Sequence, residues 1–148
     1  MIEVKYIIKT FDGIEVLKGI SSVFEKGKTN LIIGQSGSGK TVFLKCLLGL
    51  LEADSGKILF EGKGLEKMSV KERSVLRQEM GMVFQGSALF DSMTVEENIM
   101  FPMQMFTKKD DDEIRERANL VIKRVNLINA NSKYPDEISG GMKKRVAI

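Results

Sequence analysis

The sequence predicts an α/β fold that begins with a small antiparallel β unit, continues into a partly parallel core sheet and ends in a helical block. Alternating apolar and charged residues near the N-terminus indicate two strands joined by a tight turn. A glycine-rich loop then lies between a short apolar run and an apolar helix. From about Gly86 onward the apolar residues recur with helical spacing, so this part is expected to be mainly helical.

The composition is that of an ordinary globular protein. The 148 residues suggest one domain, and 43% of them are apolar and 29% charged. The net charge of +3 suits an anionic ligand, and no nucleic-acid partner is expected. The single cysteine, Cys46, is expected to be buried, and the absence of histidine excludes histidine-based catalysis. No signal peptide or membrane-spanning run is recognisable, which predicts a cytoplasmic location.

The β unit is predicted from period-two alternation. The first strand should bury one face, made of Ile2, Val4, Tyr6 and Ile8. Residues 11–14 form a turn, and residues 15–24 return as the second strand. Residues 29–33 are predicted as a short, fully buried strand that leads into the glycine loop. The helix after the loop starts at Lys40, and a further strand is expected over residues 57–60.

The middle of the chain carries one helix signal and one strand signal. Ser69 and Glu72 form a capping box, which predicts a helix that runs to about Arg77. Residues 80–84 are apolar and are predicted as a short strand that ends at Gln85.

Two more helices are predicted in the second half. Thr94 and Glu97 can cap a short helix that stops before Pro102. Residues 110–113 are all acidic and favour the start of the longest helix. The apolar stripe of that helix is Ile114, Ala118, Val121, Ile122 and Val125. Four methionines are core filler or an adaptable partner-binding surface, namely Met93, Met100, Met103 and Met105.

The glycine loop matches the phosphate-binding pattern G-x-x-x-x-G-K-[ST]. Its residues are Gly34, Gln35, Ser36, Gly37, Ser38, Gly39, Lys40 and Thr41. Glycines let backbone N–H groups converge on phosphate oxygens, and the following helix adds its positive N-terminal end. In this pattern Lys40 reaches the β- and γ-phosphates and the Thr41 hydroxyl holds Mg²⁺. A glycine-rich turn that fits by chance is the alternative, and the strand and helix predicted on either side argue against it.

A second candidate anion site lies near the other end of the chain. Ser139, Gly140 and Gly141 are expected to open a helix, where a hydroxyl and free amides can bind an anion. A single site of this type can be a plain helix cap. Two anion sites separated by a helical block suggest one ligand held between two copies of the protein.

With these motifs the sequence resembles, along its whole length, the ATP-binding subunits of ABC transporters. Residues 34–41 look like the Walker A loop, and residues 138–142 look like the Leu-Ser-Gly-Gly-Gln signature. Gln85 looks like the Q-loop glutamine, which in the family contacts Mg²⁺ and the attacking water. Phe11 lies where the family places an aromatic ring that stacks on adenine, with Tyr6 as a weaker candidate.

The resemblance also implies a fold, ligands and partners. It implies a P-loop NTPase fold, with a nucleotide-binding core at residues 1–85 and a helical subdomain at residues 86–148. ATP and Mg²⁺ are the implied ligands, with Lys40 and Gln85 in catalytic roles and Thr41 and Gln85 at the metal. Members of the family pair head to tail with a second copy and drive a transmembrane permease, so the chain is expected at the inner face of the membrane.

One segment points to a subfamily. Residues 84–90, together with the Ser-Gly-Gly-Met signature, look most like the bacterial phospholipid-trafficking subunits of the Mce type. This resemblance implies a lipid or hydrophobic transported substrate. Met142 replaces the usual glutamine of the signature. The serine and the glycine amides supply most of the family's γ-phosphate contacts, so they are expected to keep working.

Several motifs of the family lie beyond the last residue, Ile148. They include the Walker B strand, the catalytic glutamate and the switch histidine, so the chain is expected to be a fragment of a longer subunit. These 148 residues are predicted to bind nucleotide but to hydrolyse ATP poorly. Because the Walker B strand of the family pairs beside the phosphate-loop strand, residues 29–33 are expected to have an unpaired edge.

Other nucleotide-binding classes stay open at this point. A small-molecule kinase would also carry residues 34–41, but it would need an arginine-rich lid. A GTPase would need an Asn-Lys-x-Asp motif, which the sequence lacks. A soluble ABC protein of repair or translation, or a non-catalytic nucleotide-binding module, would have no membrane partner. Co-purification with a polytopic membrane protein would separate the transporter from these classes.

Overall fold

The computed structural model describes all 148 residues, which fall into two units, Met1–Met80 and Gly81–Ile148. In chain order, the first unit contains β1 (Ile2–Phe11), β2 (Ile14–Phe24), α1 (Lys40–Leu47), β3 (Ser55–Phe60), β4 (Lys63–Gly64), a 3₁₀ turn (Leu65–Lys67) and α2 (Val70–Gln78). The second unit contains α3 (Val95–Phe106), α4 (Asp111–Arg124), a 3₁₀ turn (Pro135–Glu137) and α5 (Gly140–Val146). None of the helices combines the length and the apolar character that a membrane span requires.

The first unit is built on a four-stranded sheet in the order β2-β1-β3-β4, and every pair in it is antiparallel. Helix α1 contributes three buried side chains to the core of this unit, namely Phe43, Cys46 and Leu47. The buried sheet residues of the same core are Val4, Ile7, Leu17, Ile58 and Phe60. The predicted antiparallel β unit and the predicted burial of Cys46 are confirmed, and burial raises the pKa of the Cys46 thiol.

Strand β1 departs from simple alternation at Tyr6. A bulge between Val4 and Ile7 places Ile7 in the core, whereas Tyr6 has a φ of 53° and is 65% exposed. The Tyr6 amide donates to Ser21 Oγ at 2.9 Å. Its ring lies against Gly19, where an added Cβ would come within 2.8 Å of a ring carbon. The expectation that Tyr6 faces the core was therefore wrong, because a bulge inserts an extra residue and reverses the alternation beyond it.

Two predicted strands are not formed. Residues 29–33 and 80–84 have no ladder partner, and the sheet contains no parallel pair. Leu31 and Ile33 are 83% and 80% exposed, although their sequence predicts a buried strand. The parallel part of the predicted sheet was therefore wrong, because a strand needs a neighbouring segment for its backbone groups and none supplies one here. Residues 29–33 are open on both sides, and each apolar side chain left in water forgoes about 1.5–3 kcal/mol.

The helices of the second unit bury two small groups of apolar residues. The larger group joins α3, α4, α5 and the segment between α4 and α5, with Val95, Ile122, Leu127, Ala130, Ile138 and Val146 buried. The smaller group joins α3 to α4 through Met100, Ile114 and Ala118. The predicted helical character of this half and the apolar stripe of its longest helix are confirmed.

The predicted helix starts are confirmed, and one predicted helix end is wrong. Ser69 and Thr94 each accept a hydrogen bond from the amide three residues later within a capping box. Asp110 caps α4 by accepting from the Glu113 amide at 2.8 Å. Helix α3 was expected to stop before Pro102, but it continues through the proline to its last residue, Phe106. Met100 and Met103 lie on either side of the proline and pack against α4. Tertiary packing supplies most of the stability of a helix in a protein, and here it outweighs the backbone donor that the proline lacks.

Candidate nucleotide-binding site

The phosphate loop, residues 34–41, lies against β2. Gly37 and Gly39 have φ angles of +81° and +88°, which residues with a side chain rarely adopt. Gly39 is also closely packed, because an added Cβ would lie 3.1 Å from the backbone oxygen of Val16 and from a methyl group of Leu17. The Ser38 amide donates to the carbonyl oxygen of Gln35 at 3.2 Å and closes a turn. Glycine at position 39 is therefore required both by its φ angle and by the contact that fixes the loop on the sheet.

Helix α1 starts without a side-chain cap. Gly39 is its N-cap residue, and the Phe43 amide donates the first helical hydrogen bond to the Gly39 oxygen at 2.8 Å. The first-turn amides of Lys40, Thr41 and Val42 consequently have no acceptor within the helix. No acidic side chain lies in this turn. Open amides at the positive end of a helix make a suitable place for an anion.

The side chain of Lys40 folds back over the loop. Its ammonium donates to the carbonyl oxygens of Gly34 at 2.8 Å and Gln35 at 2.7 Å. Both acceptors are uncharged, so a phosphate oxygen can replace either of them with a stronger, charge-assisted hydrogen bond. Thr41 is exposed in the first turn of α1, where its hydroxyl offers the type of oxygen ligand that Mg²⁺ prefers.

An open groove of about 480 Å³ lies beside the phosphate loop. It is lined by Gly37 and Ser38 of the loop and by a set of β2 residues, namely Ile14, Glu15, Val16, Lys18 and Ile20. Phe11 pairs with Ile14 across the hairpin, and its side chain is 41% exposed. An apolar wall beside a phosphate-binding loop suits a ligand with a flat apolar part and an anionic tail. Sequence reasoning missed the β2 wall, because the alternation of β2 does not show which of its residues lie beside the loop.

Gln85 lies in a turn of the second unit and is exposed. The Ser87 amide donates to the Phe84 oxygen at 3.0 Å across this turn. Ser87 and Ala88 have positive φ angles of 66° and 51°, although neither is glycine. The predicted strand that was to end at Gln85 is replaced by this turn.

The hydrogen bonds that join the segment after Gln85 to α3 centre on one side chain, that of Asn98. Its Oδ1 accepts from the Phe90 amide at 2.8 Å. Its Nδ2 lies within hydrogen-bond distance of three carbonyl oxygens, those of Phe90 at 3.1 Å, Met93 at 3.0 Å and Thr94 at 2.9 Å. Sequence reasoning did not single out Asn98, because its partners come from a loop whose path the sequence pattern does not specify.

The second candidate anion site forms the start of α5. Ser139 is the N-cap residue, and its Oγ accepts from the Met142 amide at 3.3 Å. Gly140 and Gly141 follow as exposed residues of the first turn. Met142 is half-buried and packs against the larger apolar group of this unit, which accounts for an apolar residue where the resemblance expects glutamine. Of the predicted site residues, Phe11 and the phosphate loop belong to the first unit, whereas Gln85 and residues 139–141 belong to the second.

Comparison with known sequences places the chain among ABC proteins. Residues 17–148 match the family model described as ABC transporter. The probable ribonucleotide transport ATP-binding protein mkl of Mycobacterium leprae (strain TN) is 39% identical over 147 residues, which cover 99% of this chain and 42% of the relative. The methionine import ATP-binding protein MetN of Clostridium tetani (strain Massachusetts / E88) is 40% identical over 148 residues, which cover 100% of this chain and 46% of the relative. The chain thus spans less than half the length of these two relatives.

Comparison with solved structures also places the chain among ABC proteins. The dimeric post-hydrolysis state of the ATP-binding cassette MJ0796, bound to ADP and Pi, superposes with a TM-score of 0.89 at 27% identity, covering 99% of this chain and 67% of that chain. The protein cbiO1 from Clostridium perfringens, described as part of the ABC transporter complex cbiONQ, gives 0.82 at 33% identity, covering 99% and 58%. The predicted P-loop NTPase fold of the ABC ATPase type is confirmed. The chain belongs to the ABC transporter family, and its fold is that of the family's ATP-binding cassette.

Proposed function

We propose that the chain binds Mg-ATP through its phosphate loop and belongs to a subunit that hydrolyses ATP to power a membrane transporter. The observation that carries this proposal is the uncapped start of α1, where open backbone amides and the Lys40 ammonium belong to one loop. On binding, Lys40 would exchange its two carbonyl partners for oxygens of the β- and γ-phosphates. The residues proposed to hold the phosphate chain are Gly34, Gln35, Ser36, Gly37, Ser38, Gly39, Lys40 and Thr41.

Thr41 and Gln85 are the proposed protein ligands of Mg²⁺. Thr41 fits this role because its exposed hydroxyl lies in the first turn of α1, at the proposed phosphate site. Gln85 offers an amide oxygen, and its role as a ligand rests on the family resemblance. When bound, Mg²⁺ supplies positive charge to the phosphate oxygens during transfer. Lys40 is proposed as a catalytic residue that stabilises the same charge, and Gln85 as one that orients the attacking water.

The groove beside the phosphate loop is the proposed place of the adenosine part of ATP. Phe11 offers an exposed ring on which adenine can stack, and Ile14 and Val16 offer an apolar wall. The loop residues Gly37 and Ser38 line the same groove, so base and phosphates would occupy one continuous surface.

A second copy of the subunit and a transmembrane permease are the proposed partners. Ser139, Gly140 and Gly141 would complete the nucleotide site of the second copy in a head-to-tail pair. In support, both MJ0796 structures are described as dimeric. The relatives named above are described as transport and import ATP-binding proteins, which supports a permease partner and a position at the cytoplasmic face of the membrane. The division into a nucleotide core at residues 1–85 and a helical subdomain at residues 86–148 belongs to the same proposal.

The transported substrate is proposed to be a lipid or another hydrophobic molecule. The support is the Mce-type resemblance of residues 84–90 together with the Ser-Gly-Gly-Met signature. The two relatives described above are named for ribonucleotide transport and methionine import. Mass spectrometry of small molecules that co-purify with the permease complex would separate these substrate classes. Bound methionine or nucleotide in place of lipid would contradict the lipid proposal.

A polypeptide of these 148 residues is proposed to hydrolyse ATP poorly. It contains no histidine, and Asp136 and Glu137 lie in a 3₁₀ turn rather than at the end of a strand. Losing a base that polarises water typically lowers a rate by about 10²–10⁴-fold. Steady-state turnover of the purified chain near the roughly 1–100 s⁻¹ of phosphoryl-transfer enzymes would refute this point.

Calorimetric titration of the purified chain with Mg-ATP tests the binding proposal. Lys40→Ala is expected to weaken ATP binding by at least about tenfold, because a hydrogen bond to a charged group contributes about 1.5–3 kcal/mol. Lys45→Ala is the matched control, since it removes the same charge from the last turn of the same helix. It is expected to leave the affinity unchanged. Equal ATP affinities of Lys40→Ala and the unsubstituted chain would contradict the proposal.

A further inference from the structure

The end of β1 carries an arrangement of charges that phosphate binding does not use. Lys9 Nζ lies over the ring of Phe11, 5.5 Å from its centroid. The same ammonium donates to Asp54 Oδ1 at 2.6 Å. The Lys9 side chain is 15% exposed although it carries a full charge, so its position is well defined by these two neighbours.

Asp54 is itself tied to three successive residues of β1. Its amide donates to the Ile8 oxygen at 2.9 Å, and its Oδ2 accepts from the Thr10 amide at 2.7 Å. Between them, Oδ1 accepts from the Lys9 ammonium. The hydrogen bond from Lys9, followed by that from Thr10, lowers the pKa of the Asp54 carboxyl. The carboxylate therefore stays ionised near neutral pH and holds the ammonium at one place.

The strand register places Phe11 opposite a residue that lines the groove. Phe11 pairs with Ile14, and directly paired residues of an antiparallel ladder point to the same face. Ile14 lines the groove beside the phosphate loop. The ladder changes register between Lys9, which pairs with Leu17, and Thr10, so simple alternation does not hold over residues 9–11. The contact between the Lys9 ammonium and the Phe11 ring is given by their 5.5 Å separation. Phe11 is 41% exposed beside this cation, so part of its surface is open to a ligand.

We propose that Lys9 and Asp54 are positioning residues for Phe11 and thereby set the preference of the site for a ligand that carries an aromatic base. The inference rests on the proposed function, because it assumes that a nucleotide occupies the groove. The cation restricts the rotation of the ring before the ligand arrives, and a ring that is already fixed loses less conformational entropy when a base stacks on it.

A merely structural role would have a different signature. The contacts of Asp54 with residues 8–10 also fasten the turn before β3 to β1. If that were their sole effect, a substitution would disturb every ligand of the phosphate loop alike. A positioning role instead affects a ligand with a base and spares a bare phosphate chain.

Calorimetry with Mg-ATP and with inorganic tripolyphosphate separates the two roles in the 148-residue chain. Lys9→Met is expected to weaken ATP binding about two- to fivefold, the range of an exposed cation–π contact, and to leave tripolyphosphate affinity unchanged. Asp54→Asn is expected to act in the same direction with a smaller change. Lys9→Arg keeps a cation over the ring and should retain ATP affinity. Lys5→Met is the control, because Lys5 is an exposed lysine of the same strand that is ion-paired with Glu3, and it should change neither affinity.

A double-mutant cycle tests whether Lys9 acts through the ring. In a Phe11→Leu background, Lys9→Met is expected to have no further effect on ATP affinity. Additive effects of the two substitutions would overturn the inference and leave the proposed function standing. If Lys9→Met weakened the binding of ATP and of tripolyphosphate equally, the inference would also be overturned and the proposed function would still stand. An unsubstituted chain that binds neither ligand would instead overturn the proposed function.

Discussion

The helices that begin at Lys40 and at Gly140 start in different ways. Helix α1 follows Gly39, which has no side chain to cap it, so its first-turn amides stay open. Helix α5 follows Ser139, whose hydroxyl accepts from the Met142 amide. The start of α1 leaves its amides available to a ligand, whereas at the start of α5 one amide is already hydrogen-bonded within the chain.

The other helices behave like α5. All four α-helices apart from α1 have a polar N-cap side chain that accepts a backbone hydrogen bond, namely Ser69, Thr94, Asp110 and Ser139. Glycine at an N-cap position lowers stability by a few tenths of a kcal/mol relative to serine. An open helix start therefore lowers stability only slightly, and α1 is the helix of this chain that has one.

Gly39→Ala is the strongest test of this contrast. Alanine in a left-handed conformation costs about 1–2 kcal/mol, and its Cβ would meet the Val16 oxygen at 3.1 Å. We expect the loop to shift and ATP binding to weaken about tenfold, which corresponds to about 1.4 kcal/mol. Calorimetry with Mg-ATP measures this effect.

Gly37→Ala is the matched control for that substitution. Gly37 also has a positive φ, but an added Cβ would meet no atom within 4 Å. The substitution should therefore show the conformational penalty alone, seen as a lower free energy of unfolding in urea. Equal ATP affinities for Gly39→Ala and the unsubstituted chain would mean that the fixed position of the loop on β2 is not needed.

The features that the sequence pattern predicted correctly depend on nearby residues. The capping boxes at residues 69–72 and 94–97 join groups three positions apart, so a short motif specifies them. The positive φ angles of the phosphate loop occur at its glycines for the same reason. The strands predicted at residues 29–33 and 80–84 failed, because pairing depends on a distant segment that periodicity does not reveal.

The residues of the candidate site also divide into those that the sequence identified and those that depend on the fold. A local motif identified the phosphate loop, and the family resemblance identified Phe11. The contact between Lys9 and Asp54 joins residues 45 positions apart, so it became visible when the fold had brought them together. The β2 wall of the groove depends likewise on how the loop packs on the sheet.

Ser139→Ala tests the capped helix start of this comparison, that of α5. Removing the hydroxyl leaves the Met142 amide without its acceptor, and we expect the free energy of unfolding to fall by about 1 kcal/mol. Ser139→Asn keeps a capping side chain and should restore most of the stability. Urea unfolding measures both variants, with Thr94→Ala as a reference for a cap of known geometry. An unchanged stability of Ser139→Ala would show that the hydroxyl is free for a ligand, as the amides of α1 are.

Gly140→Ala is expected to raise the free energy of unfolding, in contrast to the conformational penalty expected for Gly39→Ala. Gly140 is the first residue of α5, and an added Cβ would meet no atom within 4 Å. Alanine is favoured over glycine in a helix, so we expect stabilisation of up to about 0.5 kcal/mol. A shift of the urea midpoint at constant slope would measure it. Destabilisation would indicate that this glycine, like Gly39, is required by close packing.

The smallest effect is expected at the capped start of α2, and it depends on pH. The Glu72 carboxylate accepts from the Lys63 ammonium and, at 2.8 Å, from the Ser69 amide. These hydrogen bonds, led by that from Lys63, lower the pKa of Glu72 from 4.5 to about 2. A lowered folded-state pKa means that the stabilisation is fully present above pH 4.5 and is lost as the pH falls towards 2. Glu72→Gln should therefore be less stable than the unsubstituted chain at neutral pH, with the difference shrinking across that window, and Lys63→Met should reproduce most of the change. Urea unfolding at a series of pH values measures the difference, and parallel curves for Glu72→Gln and the unsubstituted chain would show that the capping box carries no net charge interaction.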